Sequence, residues 1–395
     1  MVIAPKVRGF ICTTAHPAGC RAAVEEQIRE VERFPHTGGP KKVLVIGAST
    51  GYGLASRISL AFGFGAATLG VSFERPASGS RTATAGWYNT AAFEGLARER
   101  GLYARDIMGD AFSREVKEQA AACIRAELGK VDMVVYSLAA PRRTLPDGTA
   151  VSSVLKTVGA PYSNKTIDLK TRTVRPVEVP PATEQEIADT VKVMGGEDWM
   201  DWMSFLQGEG LLAPGCITLA YSYLGPEVTH PMYLDGSIGQ AKKHLKATAD
   251  EMGRKLEGIK AYISVNKALV TQSSAAIPIV PLYITMLYKV MKEMGLHEGC
   301  IQQMDRLFRE KLFVPTPVVD EAGYLRPDDW EMRPDVQQKV DALWEKVDDA
   351  NLEQLCDIDG YWEDFYHMFG FGFTGVDYEG DIDPDVPLPG LWKEE

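Results

Sequence analysis

Signatures of metal binding and of disulfide framing are missing from this sequence. Its six cysteines (Cys12, Cys20, Cys123, Cys216, Cys300 and Cys356) are scattered over 395 residues with no C-x-x-C pair. That usage points to reduced thiols in a cytoplasm rather than a disulfide frame or a zinc site. His16 and Cys20 form a close His/Cys pair, too few ligands for a metal. A cationic excess is missing too: 42 Lys and Arg stand against 54 Asp and Glu, for a formal net charge of −12. A surface that tracks nucleic-acid phosphates needs the opposite sign, so no nucleic-acid partner is expected, although a local basic pocket for a phosphorylated ligand stays open. No basic segment followed by an apolar core opens the sequence, and no export signal is expected. The uncharged stretch Ala268 to Tyr288 holds Gln272, Ser273, Ser274, Pro278 and Pro281. It reads as a strand end, a loop and a buried helix, not as a membrane span.

What is present is organised around Lys41 to Gly53, KKVLVIGASTGYG. An apolar, β-branched run (Val43 to Ile46) feeds into Gly47-Ala-Ser-Thr-Gly51-Tyr-Gly53, and an amphipathic segment, Leu54 to Phe64, follows. This is the layout of a strand, a glycine turn and a helix that cradle a dinucleotide. Gly47 permits the tight turn and Gly51 lets the backbone approach a pyrophosphate. Gly53 lets the helix pack close, with its first N–H groups toward the phosphates. The G-x3-G-x-G spacing is the short-chain dehydrogenase variant. A second strand, Ala66 to Phe73, is nearly continuous in apolar residues, as a parallel strand covered on both faces requires. Glu74 at its end is placed to accept hydrogen bonds from the adenosine ribose and to repel a 2′-phosphate. That favours NADH over NADPH, while Arg75 beside it could accommodate the extra phosphate.

The rhythm continues. A connection that includes Arg81 to Asn89 leads to helical Thr90 to Arg100. A third strand near Tyr103 to Met108 ends in Gly109-Asp110-Ala111, where an Asp commonly sits near the adenine. Helix Arg114 to Leu128 precedes a fourth strand, Val131 to Ala139, whose small-residue end would pass the nicotinamide ribose. Strands at Gly215 to Tyr223 and Ile259 to Val265 flank a helix over Ile238 to Glu257. The alternation predicts an α/β fold, an enlarged Rossmann, short-chain dehydrogenase-like, doubly wound parallel sheet. Residues 41–140 and 215–300 make its core. Residues 1–40 add an N-terminal cap: a strand over Val7 to Thr13, a helix over Ala22 to Val31, and a turn-rich linker. Residues 141–214, acidic and Trp-rich at Glu197 to Trp202, read as a lid insertion (a hairpin, then a helix) at the ligand-binding edge of the sheet. Residues 301–395 form a C-terminal helical extension with helices at Gln302 to Lys311 and Asp335 to Val347.

Reduction on such a fold uses a Tyr phenol that donates to a developing oxyanion and a Lys ammonium that favours the ionised phenol and holds the ribose. A Y-x3-K match, Tyr288 to Lys292, puts both side chains on one helical face. It follows the sixth strand, however, whereas the fold presents its Tyr between strands five and six, so it reads as a partly buried helix with an exposed Lys end. In the right interval stands Y-x8-K, Tyr233 to Lys242. Nine steps along one α-helix would separate the two by about 13 Å and set them on opposite faces. The pair works only if Tyr233 precedes the helix, Gly236 turns the chain, Ser237 caps it and Lys242 rides on it.

The Y-x8-K spacing, GASTGYG, YSYLGPE (Tyr221 to Glu227), the opening VRGFICTTAHPAGC and the late GFGFTGVDY (Gly370 to Tyr378) together closely resemble the single-chain bacterial trans-2-enoyl-CoA/enoyl-acyl-carrier-protein reductase family. The resemblance runs nearly the full length. It implies an NADH-dependent, monomeric, cytoplasmic reductase of enoyl-CoA or enoyl-acyl-carrier protein, serving fatty-acid synthesis. It places the proton donor on Tyr233, its lysine on Lys242 and a substrate-contacting Tyr on Tyr223. Cofactor contacts fall on Gly47, Ala48, Ser49, Thr50, Gly51 and Tyr52, on Phe73 and Glu74, and on Asp110 and Ala111. Further contacts fall on Leu138, Ala139, Lys242, Leu269, Val270 and Thr271. It also implies a helix within 268–288 lining an acyl pocket, to which Ile277, Ile279, Val280 and Ile284 would suit. Lys242, Lys243, Lys246, Arg142 and Arg143 would meet either carrier. A 3-ketoacyl or alcohol reductase on the same fold is the rival reading. A non-catalytic NAD sensor, which would not need the Tyr/Lys pair, is the alternative from another class.

Overall fold

Seven strands build one parallel sheet: β1 (Lys42–Ile46), β2 (Ala67–Ser72), β3 (Ala104–Met108), β4 (Val131–Tyr136), β5 (Leu212–Ser222), β6 (Lys260–Val265) and β7 (Tyr324–Leu325). Their spatial order is β3-β2-β1-β4-β5-β6-β7, and every neighbouring pair runs parallel. The order reverses between β1 and β4, the switch point where a doubly wound sheet opens a crevice for ligands. This computed structural model describes residues 1–9, 11–272, 274 and 277–393. Phe10, in the predicted first strand, Ser273, Ala275 and Ala276, in the uncharged stretch, and the last two residues lie outside them.

The helices are α1 (Pro17–Val31), α2 (Gly51–Ile58), α3 (Ala85–Glu99), α4 (Arg114–Cys123), α5 (Glu184–Met194) and α6 (Glu197–Gly208), followed by α7 (Ser237–Lys255), α8 (Val280–Glu293), α9 (Cys300–Arg306), α10 (Pro334–Lys346), α11 (Leu352–Leu355) and α12 (Ile358–His367). Alternation along β1 divides them. Leu44 and Ile46 face a core shared with α4, α6 and α7, while Val43 and Val45 face one shared with α1, α2, α3 and α9. Because side chains alternate along a strand, an unbroken apolar run feeds both layers at once. Each such aliphatic side chain contributes roughly 1.5–3 kcal/mol by full burial. A third core gathers α8, α10 and α12. Arg57 of α2 is fully buried and grips Asp106 of β3 at 2.6 and 2.8 Å. Among the described residues no helix is long and apolar enough to cross a membrane.

Several expectations need correction. The cap begins with two short paired strands, Val7–Arg8 and Ile11–Cys12, instead of one, and α1 starts at Pro17, capped by His16, whose Nδ1 accepts from the Gly19 N–H at 3.2 Å. Helix α3 begins at Ala85, inside the segment expected to be a connection. The insertion carries two hairpins, Arg142–Thr144 with Ala150–Ser152 and Tyr162–Asp168 with Thr173–Val179, and two helices. Its Trp-rich part is no lid: α6 is the crossover to β5, with Trp199 and Trp202 fully buried under the sheet. The indole of Trp199 donates to Thr218 Oγ1 at 2.8 Å. β5 starts at Leu212, and the sheet recruits β7 from the segment read as a helical extension.

Candidate active site

At the end of β1 the chain turns at Gly47, whose φ of +84° lies in the left-handed region that side chains avoid. A Cβ there would also sit 2.2 Å from the Ser137 carbonyl oxygen beyond β4. Gly53 is needed for closeness: a Cβ would approach the Gly47 oxygen to 1.8 Å. Thr50, the N-cap of α2, makes no side-chain capping bond. The first N–H groups of α2 therefore keep their capacity for an anion, and the helix dipole adds to it. These residues fit a dinucleotide pyrophosphate.

Glu74 accepts from Ser49 Oγ at 2.6 Å, and Asn89 Nδ2 donates to the Ser49 carbonyl at 3.1 Å. The carboxylate is thereby fixed beside the glycine turn, as ribose recognition requires. Phe73 before it is 76% exposed. Asp110 closes the turn after β3, accepting from the Phe112 N–H at 3.0 Å, and buried Ala111 takes the Trp202 indole N–H on its carbonyl. Ala48 turns into the core, its N–H bonded to the Val71 carbonyl.

A cavity of about 1010 Å³ opens from the turn. Gly47 and Ser49 to Tyr52 border it, with Leu138 and Ala139 from the end of β4. So do Leu269, Val270 and Thr271 after β6. Ala48, Phe73, Glu74, Asp110 and Ala111 stand outside this wall. Of the apolar residues expected to suit an acyl chain, Ile277 and Val280 reach the cavity. Ile279 packs instead on Val179 and Met232, and Ile284 sits in the core of α8.

Tyr233 and Lys242 share the cavity wall although eight residues separate them. Tyr233 lies in the turn before α7, its N–H bonded to the Thr229 carbonyl at 2.9 Å. Gly236, not Ser237, takes the N-cap position. Ser237 is instead a buried staple, donating to the Val154 carbonyl at 2.5 Å and accepting from the Lys156 N–H at 3.2 Å. The insertion thus fixes where α7 starts, and with it the angle at which Lys242 enters. Lys242 Nζ donates to the Tyr221 carbonyl at 2.9 Å, and burial pulls its pKa down to about 8. Burial pushes the Tyr233 phenol up. Its ring meets that of Tyr223 edge to face, centroids 4.9 Å apart, and Tyr223 also borders the cavity.

Three further residues escaped the sequence reading. Buried Glu331 accepts from the Tyr223 hydroxyl at 3.1 Å. Asn266, one residue past β6, borders the cavity with an amide nitrogen that has no protein partner among the described residues. Its orientation is set by Ser264 Oγ, which donates to Asn266 Oδ1 at 2.7 Å. Lys267 is buried on the same wall and burial brings its pKa to about 8. Of the five cations expected to meet a carrier, Arg143 is buried against the Lys192 carbonyl and Glu197, Lys246 is paired with Asp250, and Lys242 faces inward. Arg142 and Lys243 remain exposed.

Residues 81–313 match the family described as the trans-2-enoyl-CoA reductase catalytic region, and residues 2–79 the NAD(P)H binding domain of trans-2-enoyl-CoA reductase. The chain belongs to the trans-2-enoyl-CoA reductase family. It is 56% identical over 401 residues to an enoyl-acyl-carrier-protein reductase (NADH) of Coxiella burnetii, covering 99% of this chain and 98% of that protein. It is 52% identical over 395 residues to a trans-2-enoyl-CoA reductase (NADH) of Ruminiclostridium cellulolyticum, covering 99% and 100%. The crystal structure of Treponema denticola trans-2-enoyl-CoA reductase in complex with NAD superposes with a TM-score of 0.94 at 49% identity, over 97% of this chain and 98% of that one.

Residues 319–382 match a third family region, described as the enoyl reductase FAD binding domain. The residues present do not fit a flavin of their own. Val336, Val340, Tyr361 and Phe365 fill the core between α10, α12 and α8. Among the described residues of this segment there is no strand, glycine turn and helix to hold a pyrophosphate. Its side chains that reach a large cavity (Asp364, His367, Met368 and Phe373) border the one onto which the turn at Gly47 already opens.

Proposed function

We propose that this chain reduces the trans-2 double bond of enoyl thioesters with NADH, yielding the saturated acyl thioester. The observation that carries this reading is the convergence of the glycine turn, Tyr223, Tyr233 and Lys242 on one cavity. Bound NADH would supply the hydride that reaches the β-carbon. Negative charge then builds on the thioester oxygen, and Tyr233 donates a hydrogen bond to it. Burial keeps that phenol protonated, and so a donor, through the working pH range. Lys242, with a pKa near 8, is mostly an ammonium at neutral pH. Its charge draws the cofactor ribose hydroxyls toward the same wall. Protonation at the α-carbon completes the reaction.

The acyl carrier is CoA or acyl-carrier protein, for which Arg142 and Lys243 are the exposed cations. The reading includes a monomeric, cytoplasmic enzyme of fatty-acid synthesis, in keeping with six cysteines that remain free thiols. The rival, a carbonyl reductase on the same fold, separates in one assay. NADH oxidation is expected with crotonyl-CoA and not with acetoacetyl-CoA; comparable rates with both would favour the rival.

A further inference from the structure

Glu331 follows the short turn Pro327–Asp329 and is fully buried, with no Lys or Arg at ion-pair distance among the described residues. Its carboxylate collects three donors from three elements. Tyr283 of α8 and Tyr223, one residue past β5, both donate to Oε1, at 2.7 and 3.1 Å, and the Ala268 N–H donates to Oε2 at 2.7 Å. Desolvation, with Asp328 nearby, raises its pKa above the ordinary carboxylate value, while Lys267, the Tyr283 hydroxyl and the Ala268 N–H work for the charge. A phenol carries a single proton. The Tyr223 hydroxyl that donates to Glu331 has none left for a substrate oxygen, although Tyr223 stands edge to face with Tyr233 on the same cavity wall.

We propose that Glu331 is a positioning residue: by holding the Tyr223 proton it keeps Tyr223 from donating to the thioester oxygen and leaves Tyr233 as the single phenol donor. This rests on the reading of Tyr233 as donor given above. Tyr223 then acts through its ring and its oxygen lone pairs, shaping the site beside the reacting oxygen. Glu331, which does not border the cavity, thereby sets the polarity of a hydroxyl that does.

Glutamine at 331 inverts that polarity. With the Ala268 N–H claiming the amide oxygen, the amide NH₂ faces the Tyr223 and Tyr283 oxygens as a donor, and the Tyr223 proton is released toward the cavity. The experiment measures kcat for Tyr233→Phe in the natural background and in Glu331→Gln. In the natural background the loss is expected to be on the order of 10²–10³-fold. In Glu331→Gln the same substitution is expected to cost about tenfold or less, because Tyr223 now donates in its place. An unchanged penalty would overturn the inference alone; near-normal turnover of Tyr233→Phe by itself would sink the donor assignment and the inference with it. If Glu331→Gln does not fold, the Tyr223→Phe/Tyr233→Phe double variant decides. Its kcat is expected within about threefold of Tyr233→Phe, with the effect of losing Tyr223 read in KM. A further loss of about tenfold or more would mean that Tyr223 donates while Glu331 is present.

Discussion

Two Tyr/Lys pairs border the same end of the sheet, and they are built in opposite ways. Tyr288 and Lys292 lie one turn apart on α8, the spacing that puts two side chains side by side. Yet Tyr288 is fully buried, donates to Asp364 Oδ2 at 2.6 Å and accepts from the Val270 N–H at 3.1 Å, while Lys292 is bound to Asp357 at 2.7 Å. Their polar atoms are spent within the protein. Tyr233 and Lys242 straddle a turn and a helix start, a poor spacing on paper, but both face the cavity that the glycine turn opens onto. Access of the phenol to the cavity separates the two pairs, and linear spacing does not report it. The packed pair serves the other indirectly, since Tyr288 props up Val270 in the cavity wall.

The largest difference between the pairs should appear on removing each hydroxyl. Tyr233→Phe is expected to lower kcat on the order of 10²–10³-fold with little change in NADH affinity, measured by fluorescence titration. Tyr288→Phe is expected to leave kcat within a few-fold and to lower unfolding free energy by about 1–3 kcal/mol, because Asp364 and the Val270 N–H lose a buried partner. Equal kinetic losses in the two variants would erase the contrast.

Protonation sharpens the contrast at an intermediate scale. Lys242 must be an ammonium to act, and burial sets its pKa at about 8. The expected kcat/KM therefore falls as pH rises through about 8. The limb in kcat lies higher, because the bound anionic cofactor favours the charged lysine. The stability effect has the opposite slope. A lysine whose folded pKa is depressed costs stability while charged, so stability recovers between about 8 and the unfolded value of about 10.4. Lys267 is depressed to about 8 as well, also by burial. Lys242→Met should accordingly lose activity, gain stability at neutral pH and show a smaller alkaline recovery than the natural chain, since Lys267 still contributes while the buried cysteines, their thiols pushed up by burial, oppose it in both. Denaturant midpoints from pH 7 to 10 check it. The same alkaline change in the natural chain and in Lys242→Met would show that Lys242 is not held in a desolvated site.

The parts that were legible in the sequence are those where local chemistry and global fold agree. Val43 to Ile46 must be a strand covered on both faces, and Gly47 and Gly53 announce a turn with backbone against backbone. The placement of Tyr233 before α7 is legible because Pro231 and Gly236 mark a break and because several family motifs coincide. What stayed hidden depends on contacts between distant segments. The acidic, Trp-rich run at 197–202 looks like a surface piece until Trp199 finds Thr218 and Trp202 finds Ala111. Lys117 likewise neutralises Asp198 inside that layer at 2.6 Å. Glu331, in a run of acidic residues, carries no local mark that it alone is buried against Tyr223. Strand β7 is two residues long and has no periodicity to read. Ser237 was expected to cap a helix and instead bonds the insertion, a choice made by Val154 and Lys156, some eighty residues away.

The smallest effect is expected at Lys292, and it completes the comparison. Its ammonium is 41% exposed and the Asp357 carboxylate 23%, so solvent screens the pair. Asp357 keeps a second task when the lysine is gone: its Oδ1 caps α12 by accepting from the Gly360 N–H at 3.0 Å. Lys292→Met therefore removes one screened attraction and leaves the cap, and it should cost about 0.5 kcal/mol of stability, less at high salt. Its kcat should match the natural chain, in contrast to Lys242→Met. Denaturant unfolding at two salt concentrations and a crotonyl-CoA assay check both halves. A tenfold or larger loss of turnover would bring the Y-x3-K pair back into the chemistry.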